Sequence, residues 1–157
     1  MPQPLVGEIV PEFTLLSTAG AYVRASDYRG KRNLILIFCG AVNSASARRV
    51  VHQVSELNAE FVAEEAKVFA VVQGAGDEAE DLDGSCNPPF PILLDKDWHA
   101  HELFGVRSSE QHSLPAVCVV DRFGELRHVS RAAGSQPSGF VRDILEWVRY
   151  INLECPE

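Results

Sequence analysis

The chain has 157 residues and a mass of 17.3 kDa, and its 14 Lys and Arg against 22 Asp and Glu leave a formal charge of -8. That balance excludes broad attraction to nucleic acid or anionic lipid, while 46% apolar and 23% charged residues are enough to build one globular core. The longest apolar run, residues 34–39, is too short to span a bilayer, and the opening MPQPLVGEIVPEF lacks the basic flank and long apolar stretch of a secretory signal. A cytoplasmic, membrane-free protein of one domain over residues 1–157 is expected.

No repeat or low-complexity tract divides the sequence. Residues 13–16 and 22–25 flank Thr18-Ala19-Gly20 and predict a small hairpin. After the turn signal of residues 26–31, residues 34–38 (LILIF) form an apolar run without alternation, as in a central strand covered on both faces. Residues 46–65 have helical period, with Val50, Val54, Leu57 and Phe61 in one stripe and Val51, Asn58 and Val62 beside it. Residues 67–72 read as a second buried strand, which completes a βαβ unit.

Five acids within residues 77–83 could form a metal loop, but they fit better a short helix capped by Asp77, with its acids at the positive end. Pro88-Pro89-Phe90-Pro91 ends that excursion. Residues 92–94 predict a short strand or extended segment, and residues 95–104 one or two helical turns. Strands at 116–121 and 126–130 surround Arg122-Phe123-Gly124, and a last helix over 138–151 turns Phe140, Val141, Ile144, Leu145, Val148 and Ile151 inward. Strands alternating with helices, then a hairpin and a helix, describe an α/β sandwich.

Four cysteines stand at 39, 86, 118 and 155, with no C-x-x-C and no paired Cys/His spacing. Free thiols are expected, and no cofactor or metal.

The opening V-G-E-I-V-P-E-F-T-L, then S-D-Y-R-G-K, L-I-L-I-F, F-P-I-L-L-D, F-G-V and L-P-A-V-C-V-V-D-R-F-G-E-L occur in the order of a known pattern. Over nearly its whole length the chain resembles the redoxin branch of the thioredoxin fold, which includes the peroxiredoxins (the alkyl hydroperoxide reductase and thiol-specific antioxidant family). The resemblance implies a three-layer α/β sandwich with a central mixed sheet and an N-terminal hairpin. It also implies a cis peptide bond before Pro115, beside the active-site loop, and thiol-dependent antioxidant or oxidoreductase chemistry.

Redoxin chemistry needs a thiolate at the amino end of the first long helix, where unpaired N–H groups and the helix dipole stabilise the anion. Here that segment is F-C-G-A-V-N-S-A-S-A-R-R. Set against the pattern P-x-x-x-T-x-x-C, Gly40 takes the place of the proline, Ser44 of the threonine and Ala47 of the peroxidatic cysteine. Set against C-x-x-C, Asn43 and Ser46 take the two cysteine places. Neither frame supplies a thiol.

Cys39 and Cys86 are the candidates for a substitute nucleophile. Cys39 ends the central strand in apolar surroundings that suppress reactivity, and Cys86 falls in a loop as the more exposed thiol. Cys118 reads as core and Cys155 as a tail thiol. A Ser44 or Ser46 nucleophile would need a base, and His52, six or eight residues along the same helix, cannot reach either. Both serines therefore read as helix caps. His99 and His101 read as surface residues. Arg48 and Arg49, in the helix's first turns, could join Ser44, Ser46, free N–H groups and Pro115 around a small anion.

Two classes of function follow: a non-catalytic binding or regulatory redoxin, or a thiol oxidoreductase using Cys39 or Cys86. The first is the expectation. Its partners would be a small anion, a thiol-bearing protein or a second copy of the chain.

Overall fold

The chain folds around one seven-stranded mixed sheet. The computed structural model describes residues 4–106, 115–131 and 140–154. In chain order its elements are β1 (Thr14–Ser17), β2 (Tyr22–Arg24), a 3-10 turn (Ala25–Tyr28), β3 (Asn33–Ala41), α1 (Ala45–Ala63), β4 (Ala66–Gln73), α2 (Gly76–Cys86), β5 (Ile92–Leu94), α3 (His99–Leu103), β6 (Ala116–Val120), β7 (Leu126–Arg131) and α4 (Phe140–Leu153). The strands are ordered β2-β1-β5-β4-β3-β6-β7. As expected of its unbroken apolar run, β3 is interior, parallel to β4 (Ile35 opposite Val68) and antiparallel to β6 (Phe38 opposite Ala116).

Both faces of β3 are covered, which is why its sequence does not alternate. Ile35, Ile37 and Cys39 face a cluster with Val50, Val54 and Phe61 of α1 and Ile144, Leu145 and Val148 of α4. Leu34, Leu36 and Phe38 face the opposite cluster, built on Phe13, Phe104, Cys118 and Leu126. Each fully buried Ile, Leu or Phe here contributes roughly 1.5–3 kcal/mol relative to exposure. Among the described residues no helix is long and apolar enough to cross a membrane.

Several boundaries differ from expectation, each for a physical reason. β3 continues past Phe38 to Ala41 through a bulge between Phe38 and Gly40, where Gly40 takes a φ of +78°. The stripe on α1 is as read, except that Val62 is exposed: it points the same way as buried Val51 but lies in the helix's last turn. The N-cap of α2 is Ala75, not Asp77. The Ala75 N–H donates to Glu78 Oε1 at 3.0 Å, while Asp77 lies in the first turn and accepts from the Glu78 N–H at 2.9 Å. That helix also runs further, until Asn87 enters the left-handed region ahead of Pro88. Cys86 is therefore its last residue and not a loop residue. Of the inward residues expected on α4, Val141, Ile144, Leu145, Val148 and Ile151 are buried; Ser138, the Phe140 side chain and Cys155 lie outside the described residues, as does the Leu114–Pro115 bond with its expected cis form.

Candidate functional site

The end of β3, the loop after it and the first turn of α1 form the region where the family pattern puts its chemistry. Ser44 is the N-cap of α1: its Oγ accepts from the Ala47 N–H at 3.1 Å and donates to the Ala41 carbonyl at 2.8 Å. The Ser46 Oγ lies 3.5 Å from that of Ser44. Ala47 is fully buried in the cluster between the sheet and α1. Its N–H is engaged by the cap. Pro115 is buried and directly precedes Ala116, which pairs with Phe38, so it stands level with Cys39 at the end of the sheet from which the loop departs.

The candidate thiols differ sharply. Cys39 is fully buried, its Sγ donates to the Ile37 carbonyl at 3.5 Å, and burial pushes the thiol up to about 12 against a weaker opposing hydrogen bond from the Val71 backbone. A thiol with that value is protonated at neutral pH and is a poor nucleophile. Cys86, half-buried at the end of α2, meets the guanidinium of Arg48, whose Nη1 bonds Ser85 Oγ and lies 4.0 Å from Cys86 Sγ. Arg48 is thus turned toward α2, and Arg49 is exposed. His52 pairs with Glu56 at 3.3 Å and serves neither serine. Asn43 is exposed and lines a cleft of about 450 Å³ at the C-terminal ends of β3 and β4, together with Val42, Gln73, Gly76 and Lys96.

The residue that sequence reasoning misplaced is His101. His99 is exposed as expected, but His101 has 0% exposure. Its Nδ1 lies 2.7 Å from Asp95 Oδ2, and its Nε2 accepts the Gly40 N–H at 3.1 Å. Phe38 and Trp98 present their rings edge-on to it, with centroids at 5.1 and 5.0 Å. Asp95 also accepts from the Ala100 N–H at 3.0 Å and the His101 N–H at 2.9 Å. Burial alone would raise the Asp95 carboxyl, but the hydrogen bonds from the His101 ring and the two backbone N–H groups outweigh it, and the net shift is downward.

A signal for His101 was available in the sequence. Gly40 brings a backbone N–H into a buried strand end, and a buried donor needs an acceptor. The ring cannot activate Cys39, because Phe38 and Cys39 face opposite clusters of the sheet.

A central mixed sheet with β3 between β4 and β6, covered by helices on both faces, defines a thioredoxin-like fold of the peroxiredoxin type. The chain belongs to the AhpC/TSA family, whose profile matches residues 6–129. Among solved structures it is similar to PrxQ from Xylella fastidiosa, with a TM-score of 0.85 and 14% identity, covering 96% of this chain and 99% of that one. It is also similar to peroxidoxin BcpB from Mycobacterium tuberculosis, with a TM-score of 0.83 and 17% identity over 95% and 99% of the two chains. AhpC of Mycobacterium tuberculosis aligns with a TM-score of 0.82 and 18% identity over 99% and 98%. At these identities the likeness is one of fold. Comparison with curated proteins returned no match.

Proposed function

We propose that this chain is a family member without conventional thiol peroxidase turnover, using the redoxin scaffold for binding or regulation. The observation that carries this reading is Ala47, fully buried at the helix position where the family pattern has its peroxidatic thiolate. Its partners would be a small anion, a thiol-bearing protein or a second copy of the chain. An anion at the loop from Gly40 to Ser46 would have to draw Arg48 from Ser85 or recruit Arg49, since the Ala47 N–H is already engaged.

A second reading has its own observation: the half-buried Cys86 thiol 4.0 Å from Arg48, which would make the chain a thiol oxidoreductase of unusual geometry. Peroxide consumption with a thiol reductant separates the two. The expected result is a wild-type rate equal to that of a variant lacking all four cysteines. A rate that falls on Cys86→Ser would establish the second reading and remove the first.

Restoring the thiol tests how deep the loss goes. Placed in the first turn of α1, a cysteine at position 47 gains up to about 2 kcal/mol from the helix N-terminus, or about 1.5 pKa units. Full burial opposes this by up to about 3–5 units. Burial wins, so Ala47→Cys should raise peroxide consumption less than about tenfold and react slowly with iodoacetamide at pH 7. Rapid alkylation would show that the pocket has survived intact.

A further inference from the structure

His101 joins two segments that are 61 residues apart, the amino end of α3 and the bulge that closes β3. The bond it accepts fixes its chemistry. A backbone N–H can only donate, so Nε2 must carry a lone pair, and the ring hydrogen sits on Nδ1 and points at Asp95. Asp95 is a charged group in direct contact with the ring. Lys96, Asp97, His99 and Glu102 are exposed on the ring's own segment, Cys118 of β6 is buried in the cluster on the same sheet face, and Cys39 of β3 belongs to the opposite face.

We propose that Asp95 and His101 form a pH-operated latch on the segment that leads from β3 into α1, closed while the imidazole is neutral and opened by a proton on Nε2. Uptake of one proton from solvent gives an imidazolium with two N–H donors. Asp95 continues to accept the one on Nδ1. The new Nε2–H then faces the Gly40 N–H, donor against donor with no acceptor between them, and the tie at the bulge is lost. The far end of the segment stays held, by the Val42 N–H on the Gln73 carbonyl at 2.8 Å and by the Ser44 cap. Gly40 and Ala41 also stay paired with Val72 and Gln73 of β4, so the change is concentrated at the Gly40 N–H, on the side of the bulge away from β4. Because the ring has no exposed surface, proton entry and release of the tie occur together. The latch does not depend on whether the chain turns over peroxide.

Assigned 1H–15N spectra of the full chain between pH 8 and pH 5 test it. Asp95 remains ionised throughout this window, since its carboxyl lies below the ordinary range. At pH 8 the His101 ring should carry its hydrogen on Nδ1. As the pH falls, the Gly40 and Ala41 amides should shift with the same midpoint as the His101 ring. Hydrogen-exchange protection of Gly40 should drop at least about tenfold relative to that of Leu36 in mid-strand. His101→Gln keeps an acceptor near Gly40 but cannot take up a proton, and should abolish these shifts. A ring hydrogen on Nε2 at pH 8, an imidazole that stays neutral until the whole chain unfolds, or equal Gly40 shifts in His101→Gln would each overturn the latch. If that variant fails to fold, the wild-type titration still decides.

Discussion

Asp95→Ala is expected to lower the free energy of unfolding by about 3–5 kcal/mol, read from a urea titration at pH 7. The carboxylate accepts from the Ala100 and His101 N–H groups and from the His101 ring, and it is itself 1% exposed. Removing it strands three donors away from water, each at a cost of about 1–3 kcal/mol if it finds no replacement. Against a margin of about 5–15 kcal/mol for a typical domain, that is a large loss. Asp95→Asn keeps one acceptor oxygen and should cost less than half as much.

The pH dependence follows from the direction of the shift. A carboxyl depressed by folding binds fewer protons in the native state than in the unfolded one. Its contribution is thus fully present above the ordinary Asp range of about 4 and is lost as the pH falls through the lower native value. Wild type should lose this increment below about pH 4, whereas Asp95→Ala should show a flatter acid limb. Equal stability of wild type and Asp95→Ala at pH 7 would mean that the stranded donors find other acceptors.

The fold was legible because its main signals are local. Residues 34–38 carry no polar position, and Ile35 and Ile37 do meet one cluster while Leu34, Leu36 and Phe38 meet the other. The stripe from Val50 to Phe61 could be counted from helical period alone, and so could the buried face of α4 from Val141 to Ile151. Errors fell where a backbone conformation or a distant contact, rather than residue pattern, decides the outcome. The extent of α2 depends on Asn87 adopting a left-handed conformation, which the acidic composition of the helix does not announce. His101 sits on a helix of only five residues, too short for periodicity to assign an inward face. Its burial depends on Asp95 below it and on Gly40 from another strand.

The candidate site was legible only in part. Ser44 as a cap follows from residue type and spacing. The pairing of Arg48 with Ser85 and Cys86 does not, because it requires α2 to end beside the first turn of α1.

Gly40→Pro should destabilise the chain by about 3 kcal/mol or more. Proline holds φ near -65°, while Gly40 stands at +78°, so the backbone at the bulge would have to rearrange between β4 and β6. Proline also has no N–H, which leaves the buried Nε2 of His101 without its donor. Gly40→Ala separates the two effects. It retains the N–H and incurs the cost of a non-glycine residue at positive φ, about 1–2 kcal/mol, plus whatever the added methyl group meets in this buried position. The excess loss in the proline variant then measures the φ mismatch beyond alanine's together with the His101 bond. Adding His101→Ala to both variants shows how much of that excess belongs to the ring, because the ring term vanishes and the backbone term does not. If Gly40→Pro unfolds within about 1 kcal/mol of wild type, the bulge can rearrange around a proline at little cost and the bond to His101 contributes little to stability.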